Sequence, residues 1–210
     1  MQSISALLSL VLITLLQCCS ALPRPNSGSD VVTTGSKANQ NFIRSDTTCG
    51  DPSTAIVISQ AFQTGPIIHL LSVPYAFDTV NTMNGAATWV SIRDLFRGWA
   101  TQQPSTLPLW QLGSSNRQEY IYKIGQDATT KPVVSGFPND IVIIAWVFPT
   151  QVCGSVPLFG AVYPSKTDHI YTTDEDQHAG LISPAWGWSE SGVIAYVLPL
   201  TSDRGPASPF

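Results

Sequence analysis

The residues best suited to chemistry lie late in the chain, where Asp168 and His169 precede Tyr171, Thr172 and Thr173. A carboxylate, an imidazole and hydroxyl groups at the start of a strand can hydrogen-bond a sugar or another small polar ligand. Adjacent strand residues point to opposite faces, so Asp168 and His169 share one site only if a bulge intervenes. The competing interpretation, which we favour, makes Asp168 a turn cap and His169 or Tyr171 a core position.

A tryptophan pair follows this strand, in the run Trp186-Gly187-Trp188. Two tryptophans around a glycine in a loop are difficult to bury together, which favours a stacking platform for a ligand. The alternative is that they close one end of a β-barrel, and the sequence favours neither. The predicted ligand-binding residues are therefore Asp168, His169, Tyr171, Thr172, Thr173, Trp186 and Trp188.

Acidic residues precede His178 in the run Asp174-Glu175-Asp176, but they lack the alternating spacing of a calcium loop. Acids at the start of a helix are favoured by the helix dipole, so we predict a solvated helix start. The sequence therefore predicts no metal site and no cofactor.

Signatures of enzymes are absent from the sequence, including Gly-x-Ser-x-Gly, His-Glu-x-x-His and a phosphate-binding glycine loop. A glycosidase needs two carboxylates across a cleft, and Asp168 with Glu190 is the pair that can be nominated. Their spacing gives that pair no further support. A secreted hydrolase is therefore the last of three functional hypotheses, and catalytic residues are not assigned.

The composition argues against partners that are recognised by charge. Charged residues make up 11% of the chain, well under the usual share of about a quarter. Acidic residues slightly outnumber basic ones and no basic cluster occurs, which argues against nucleic-acid binding and against attraction to anionic membranes. A surface of neutral polar and aromatic residues is typical of an extracellular protein that meets uncharged ligands such as glycans.

The elements that must position these residues are repeated in the chain. Pro108-Leu109-Trp110 recurs as Pro157-Leu158-Phe159 about 49 residues later, and Tyr122 and Tyr171 follow at the same interval. A degenerate earlier copy places Ile56 opposite Pro157, about 101 residues away. The predicted repeats cover residues 53–106, 107–155 and 156–202.

Short runs rich in β-branched and aromatic residues, bounded by turn residues, predict an all-β fold. Strands are predicted at 108–112, 119–123, 141–148, 158–163, 169–173 and 193–198. Short helical turns are predicted only at 174–180 and 91–96. Three repeats with pseudo-threefold symmetry favour a β-trefoil whose hairpins close a barrel; a small propeller or another β-repeat barrel is the alternative.

The N-terminus has the pattern of a secretory signal peptide, residues 1–21. The apolar run from Ala6 to Leu16 is too short to span a membrane, and Cys19-Ser20-Ala21 offers small residues for cleavage. No Lys or Arg precedes the run, and a membrane anchor is the competing interpretation. We predict a secreted, extracellular protein without membrane association after cleavage.

The mature chain is predicted to have a flexible leader at 22–48, one β domain at 49–202 and a loose tail at 203–210. It retains two cysteines, Cys49 and Cys153, which in an oxidising compartment are expected to pair. The bond closes a loop of about 104 residues and contributes about 4–5 kcal/mol on the chain-entropy estimate.

The repeats resemble a family of secreted fungal and bacterial proteins whose unit reads roughly P-L-[FY]-R-x-[YF]-N … D-H-F-Y-T-T … E-G-I-A-G-Y-V-F-P. The last copy comes nearest, with Pro157-Leu158-Phe159, with Asp168-His169-Ile170-Tyr171-Thr172-Thr173, and with the run from Glu190 to Pro199. The middle copy has Glu119-Tyr120-Ile121-Tyr122-Lys123 in place of the D-H-F-Y-T strand. The likeness covers roughly residues 49–200. It implies a secreted, often lectin-like or accessory module without a settled activity.

Together these patterns predict a monomeric, non-catalytic binding module whose first candidate ligand is a carbohydrate held by the third repeat. The rival hypothesis is a protein-interaction module, such as a protease inhibitor or effector. Its contact would be the segment from Val73 to Asn84, which carries no repeat signature.

Overall fold

The structure is a computed structural model that describes residues 48–65, 67–85 and 88–200. The predicted signal peptide at 1–21, all but the last residue of the leader at 22–48, and the tail at 203–210 lie outside the described residues. Within the described part of the chain, no helix is long and apolar enough to cross a membrane.

In the described part of the chain, nine strands and two short α-helices follow a 3-10 turn at Pro52–Thr54. The strands are β1 Ile56–Thr64, β2 Ile67–Ser72, β3 Val90–Gly98, β4 Leu107–Gly113, β5 Tyr120–Ile124, β6 Asn139–Val147, β7 Val156–Tyr163, β8 Asp168–Thr172 and β9 Ser189–Val197. The helices are α1 Pro74–Asn84 and α2 Glu175–Leu181. The predicted all-β class is confirmed.

The strands form three antiparallel sheets of three strands each, and every sheet uses strands that are consecutive in the chain. The orders are β2-β1-β3 in the first sheet, β5-β4-β6 in the second and β8-β7-β9 in the third. The prediction that the hairpins close one barrel is therefore wrong for the described residues, because hydrogen bonding does not run continuously from sheet to sheet. The first strand of each trio lies in the centre and pairs with the other two.

Isolated bridges join the ends of the last strands of the sheets. Arg97 pairs with Leu198, Trp99 with Trp146, and Phe148 with Tyr196. The two backbone hydrogen bonds of each bridge are 2.7–3.1 Å long. Each sheet is thus tied to the other two by main-chain hydrogen bonds, which fixes where the sheets meet.

The core takes matching positions from the three sheets. Ile58, Leu109 and Leu158, each two residues into its central strand, are fully buried. Burial of such a side chain contributes about 1.5–3 kcal/mol. They belong to one cluster, which contains Ile58, Leu71, Leu95, Phe96, Leu109, Tyr122, Ala145, Val147, Leu158, Tyr171, Ala195 and Val197. A second cluster under the bridges contains Trp99, Trp146, Phe148 and Leu198.

The pairing corrects the predicted alignment of the first copy. Ile56 pairs with Gly98 as Val156 pairs with Val197, so Ile56 matches Val156 rather than Pro157. A shift of one residue moves every side chain to the other face of a strand. Ile58 therefore takes the buried place of Leu158, as the burial of both residues requires.

Two helix predictions need correction. Residues 91–96, predicted as a helical turn, lie within β3, where pairing with β1 overrides the local preference. Residues 74–84, predicted without a helix, form α1: Pro74 occupies its first turn, and Gly85 ends it with a φ of 63°. The helix predicted at 174–180 is observed as α2.

A disulfide joins Cys49 to Cys153, as the sequence predicted, across a separation of 104 residues. Cys49 precedes β1, and Cys153 lies in the turn between β6 and β7. The bond therefore connects the segment that leads into the first sheet to the turn that leads into the third sheet.

Candidate functional site

Asp168, at the start of β8, is buried and paired with the first sheet. Its Oδ2 lies 2.8 Å from Nδ1 of His69, and its Oδ1 accepts the backbone N–H groups of His69 and His169 at 3.1 and 3.0 Å. A carboxylate with these donors fixes the proton of His69 on Nδ1. Since only 3% of the Asp168 side chain is exposed, this group holds two sheets together rather than facing solvent.

His169 makes the corresponding contact with the second sheet. Its Nε2 donates to Oε1 of Glu119 at 2.9 Å, and both side chains are mostly buried. Asp168 and His169 thus reach different partners, as strand alternation predicted, and no bulge brings them to one site. His169 and His69 occupy matching steps of their hairpins, opposite Val162 and Phe62.

Hydroxyl groups of buried tyrosines add a second set of contacts between sheets. The backbone N–H of Leu71 donates to the Tyr122 hydroxyl at 2.7 Å. The backbone N–H of Tyr122 in turn donates to the Tyr171 hydroxyl. Burial raises the pKa of Tyr122 and Tyr171 well above the ordinary value, so both hydroxyls are neutral at pH 7. Tyr171 is therefore a core residue.

Thr172 and Thr173 lie where β8 leads into α2. The Thr172 hydroxyl donates to Gln177 Oε1 at 2.6 Å and accepts the backbone N–H of Asp174 at 3.0 Å. Thr172 is buried and Thr173 is half-buried. Asp174 caps the helix by accepting the backbone N–H of Gln177 at 2.9 Å, so this acidic run is the helix start that the sequence predicted.

The tryptophan pair separates into an anchored and an exposed ring. Trp188 is half-buried and packs edge-on against Tyr163, with ring centroids 5.2 Å apart, and near His69 at 6.4 Å. Trp186 is 67% exposed. Gly187 between them has a φ of 73°, and a Cβ there would lie 3.0 Å from the Tyr163 ring, so glycine is required for this turn. Asp168 and Trp188 are therefore connected through His69.

An open cavity of about 240 Å³ lies on the third sheet beside α2. Its walls are mainly apolar and include Phe159, Ile182 and Val193, while Glu175 and Glu190 supply carboxylates. Asp168 does not line it. The two carboxylates nominated for a hydrolase, Asp168 and Glu190, therefore have separate environments.

His178 forms the floor of this cavity and is almost completely buried. Its ring stacks on Phe159 with a centroid distance of 4.7 Å, and its Nε2 lies 3.2 Å from Glu190 Oε1 and 3.3 Å from the carbonyl oxygen of Gly160. Two acceptors at Nε2 require the proton there. Glu190 Oε1 also accepts the backbone N–H of Gly192 at 2.6 Å, so the carboxylate is held in place.

Among the residues that the structure describes, no group of three or more His, Cys, Asp or Glu side chains is arranged to hold a metal ion. Sequence reasoning missed His69, Glu119 and the pairing of His178 with Glu190. The first two are distant in sequence from their partners, by 99 and 50 residues. The sequence did contain one signal for Glu119: this residue occupies the position in the middle repeat that Asp168 occupies in the last repeat.

Comparison with known proteins gives a family and no function. No curated protein and no solved structure matches the chain. A family model described as a domain of unknown function, DUF5648, matches residues 76–198. That range omits the first two strands, where the repeat signature is weakest, and includes the second and third sheets completely. Because the match covers more than half of the 210 residues, the chain belongs to the DUF5648 family of domains of unknown function.

Proposed function

We propose that the protein is a secreted, monomeric, non-catalytic module that binds carbohydrate on its third sheet, through the loop that carries Trp186 and Trp188. The observation that carries the proposal is the exposed indole of Trp186 next to an anchored Trp188. An exposed tryptophan loses apolar hydration when a ligand covers it, and the face of C–H groups on a pyranose ring suits an indole surface.

The buried members of the predicted set act indirectly in this proposal. Asp168 orients His69, whose ring lies beside Trp188, and Tyr171 and Thr172 position the strand and helix behind the loop. His169 and Thr173 retain partial exposure at the edge of the same sheet. The ligand therefore contacts the tryptophans first and the polar residues only at its periphery.

The scaffold in this proposal is a trefoil-like arrangement with pseudo-threefold symmetry. Its support is the cyclic order of the bridges. Arg97, Trp146 and Tyr196 occupy matching positions of β3, β6 and β9. Arg97 bridges the first sheet to the third sheet, Trp146 bridges the second sheet to the first, and Tyr196 bridges the third sheet to the second. Secretion is supported by the Cys49–Cys153 disulfide, since such bonds persist in oxidising compartments.

A glycan array followed by calorimetry on the best glycan tests the proposal. We expect Trp186→Ala to weaken that binding about tenfold or more, the usual effect of removing an aromatic anchor. Tyr75→Ala is the matched control, because Tyr75 is equally exposed, at 66% against 67%, on the first sheet's helix. Equal affinity of W186A and wild type for the glycan would remove the loop as the site.

A protein-interaction module is the second candidate, and an exposed apolar surface supports it. Tyr75 and Met83 on α1, with Val90 and Ile92 on β3, are between 47% and 66% exposed. Tyr75 and Met83 lie within the segment from Val73 to Asn84 that the sequence singled out, and Val90 and Ile92 lie on the strand that follows it. Protease-inhibition assays separate the candidates: inhibition that is lost in Y75A and retained in W186A, with no glycan bound, supports this rival.

A further inference from the structure

We propose that the cavity beside α2 binds a primary ammonium group, so that the carbohydrate ligand is an amino sugar of the glucosamine type. The inference rests on the proposed function and names the substrate class of the third sheet. Its starting point is the cavity of about 240 Å³, which suits a single sugar unit or a substituent rather than a large ligand.

The titratable side chains of the cavity are two carboxylates and the imidazole of His178, which already donates to Glu190. Glu175 and Glu190 line it, and none of its described lining residues is Lys or Arg. A uronic or sialic acid would bring its carboxylate against two others, which costs binding energy. An ammonium group would instead be attracted by both carboxylates.

Glu190 is prepared for such a contact. Its Oε1 is occupied by the N–H groups of Gly192 and His178, which fixes the carboxylate, while its side chain remains 51% exposed. Phe159 adds an aromatic wall at the same place, and aromatic faces attract ammonium groups. The arrangement therefore combines a held carboxylate with an aromatic side chain, and both attract an ammonium group.

The cavity also adjoins the tryptophan loop. Ile182 and Glu190, which both line it, bracket residues 183–189, and that segment contains Trp186 and Trp188. A sugar chain stacked on Trp186 can extend one unit toward the cavity. Stacking then supplies affinity that any pyranose shares, and the cavity supplies the preference for an amine.

The test compares two tetrasaccharides by calorimetry with the full mature chain at about pH 7, where primary amines are protonated. One is fully deacetylated glucosamine tetramer and the other is its fully N-acetylated form, which differs in charge at the nitrogen. We expect the deacetylated tetramer to bind at least about tenfold more tightly. Equal affinity of the two overturns the inference.

Three isosteric variants locate the effect. Glu190→Gln and Glu175→Gln should each weaken the deacetylated tetramer about fivefold, the scale of a partly exposed ion pair. Asp176→Asn is the matched control, since it removes a charge from the same helix without lining the cavity, and it should change affinity less than about twofold. Equal losses of affinity in D176N and E190Q would show that the overall negative charge of this face attracts the tetramer, and this result would overturn the site.

Failure of the inference differs from failure of the proposed function. If both tetramers bind equally and W186A abolishes both, the carbohydrate module stands and the ammonium site falls. If neither tetramer binds to the wild type, the amino-sugar assignment falls, and the carbohydrate module falls with it only if no glycan on the array binds either. A lysine-containing peptide that binds in an E190Q-sensitive manner, while neither tetramer does, assigns the cavity to a protein partner and overturns the amino-sugar assignment.

Discussion

The three junctions between sheets solve the same packing problem with different polar groups. The third–first junction has the buried Asp168–His69 pair, and the second–third junction has both the Glu119–His169 pair and the Tyr171 hydroxyl. The first–second junction has Ile68 and Tyr120 where the others have an acid and a histidine, and it is tied by the Tyr122 hydroxyl instead. Two kinds of polar contact therefore connect neighbouring sheets: an acid paired with a histidine, or a tyrosine hydroxyl that accepts a backbone N–H group.

This comparison changes what the repeated polar residues mean. Buried polar groups must be paired. Loss of the acid would leave the histidine without a partner, and loss of the histidine would leave the acid without one, so the two occur together. Where one partner is missing, as at Ile68, the other position has changed as well: the Tyr120 hydroxyl donates to Asp140 at 3.3 Å. The shared polar signature of the repeats is therefore structural.

The largest expected effect is that of Asp168→Ala on the third–first junction. The change leaves His69 and two backbone N–H groups without a buried acceptor, and we expect the free energy of unfolding to fall by about 3 kcal/mol. Urea denaturation measures it, with exposed Asp78→Ala as the control. A loss below about 1 kcal/mol would contradict a structural role for this carboxylate.

Tyr122→Phe is the next test, because it removes the tyrosine tie of the first–second junction. The Leu71 N–H then lacks its acceptor, and we expect a loss of about 1.5 kcal/mol in urea denaturation. Tyr171→Phe is the counterpart at the second–third junction, where the Glu119–His169 pair remains, and its loss should be smaller. A larger loss of stability in Y171F than in Y122F would contradict the view that an acid–histidine pair and a tyrosine hydroxyl can substitute for each other.

Alkaline pH should weaken both tyrosine ties. Burial raises the pKa of Tyr122 and Tyr171, and burial with Asp140 nearby raises that of Tyr120 to about 12. The unfolded chain ionises near the ordinary value of 10.0. Stability is therefore complete below that pH and is lost as pH rises toward the folded values.

The measurement is the urea midpoint at several values between about pH 8 and about pH 11, where each buried tyrosine should cost about 1 kcal/mol at the upper end. Y122F and Y171F should each show a shallower decline than the wild type. Parallel declines in all three proteins would mean that other groups control alkaline unfolding.

The smallest effect belongs to Glu119→Gln at the second–third junction. The amide oxygen still accepts the His169 N–H, and the Tyr171 hydroxyl still ties the sheets, so we expect a loss of about 0.5 kcal/mol. A double-mutant cycle with His169→Gln gives the coupling energy. A coupling above about 2 kcal/mol would show that this junction depends on the Glu119–His169 contact after all.

Local patterns in the sequence were sufficient for most strands. The apolar runs around Leu109 and Leu158 predicted their strands because both runs are short and bounded by turn residues. Helix α1 was missed because its Thr and Asn residues are weak helix formers, although Pro74 and Gly85 mark its ends. Residues 91–96 were misassigned because a strand with irregular register does not keep strict alternation.

The site required contacts that no local pattern contains. Asp168 could be recognised as a polar residue at a strand start, but its partner His69 lies 99 residues away and belongs to the most divergent repeat. His178 and Glu190 flank a loop, and only the packing of α2 on β7 brings them together. Residue types therefore revealed which groups can do chemistry, and the arrangement of sheets decided which are buried.

The disulfide makes the first two sheets part of a covalent ring. Because Cys49 precedes the first sheet and Cys153 follows the second, a single proteolytic cut at any bond between them leaves two pieces that the disulfide still joins in one covalent molecule. A cut after Cys153 instead separates some or all of the third sheet from the ring. The sheet with the proposed binding loop is thus the one part of the domain that a protease can release, and reduction alone abolishes that distinction.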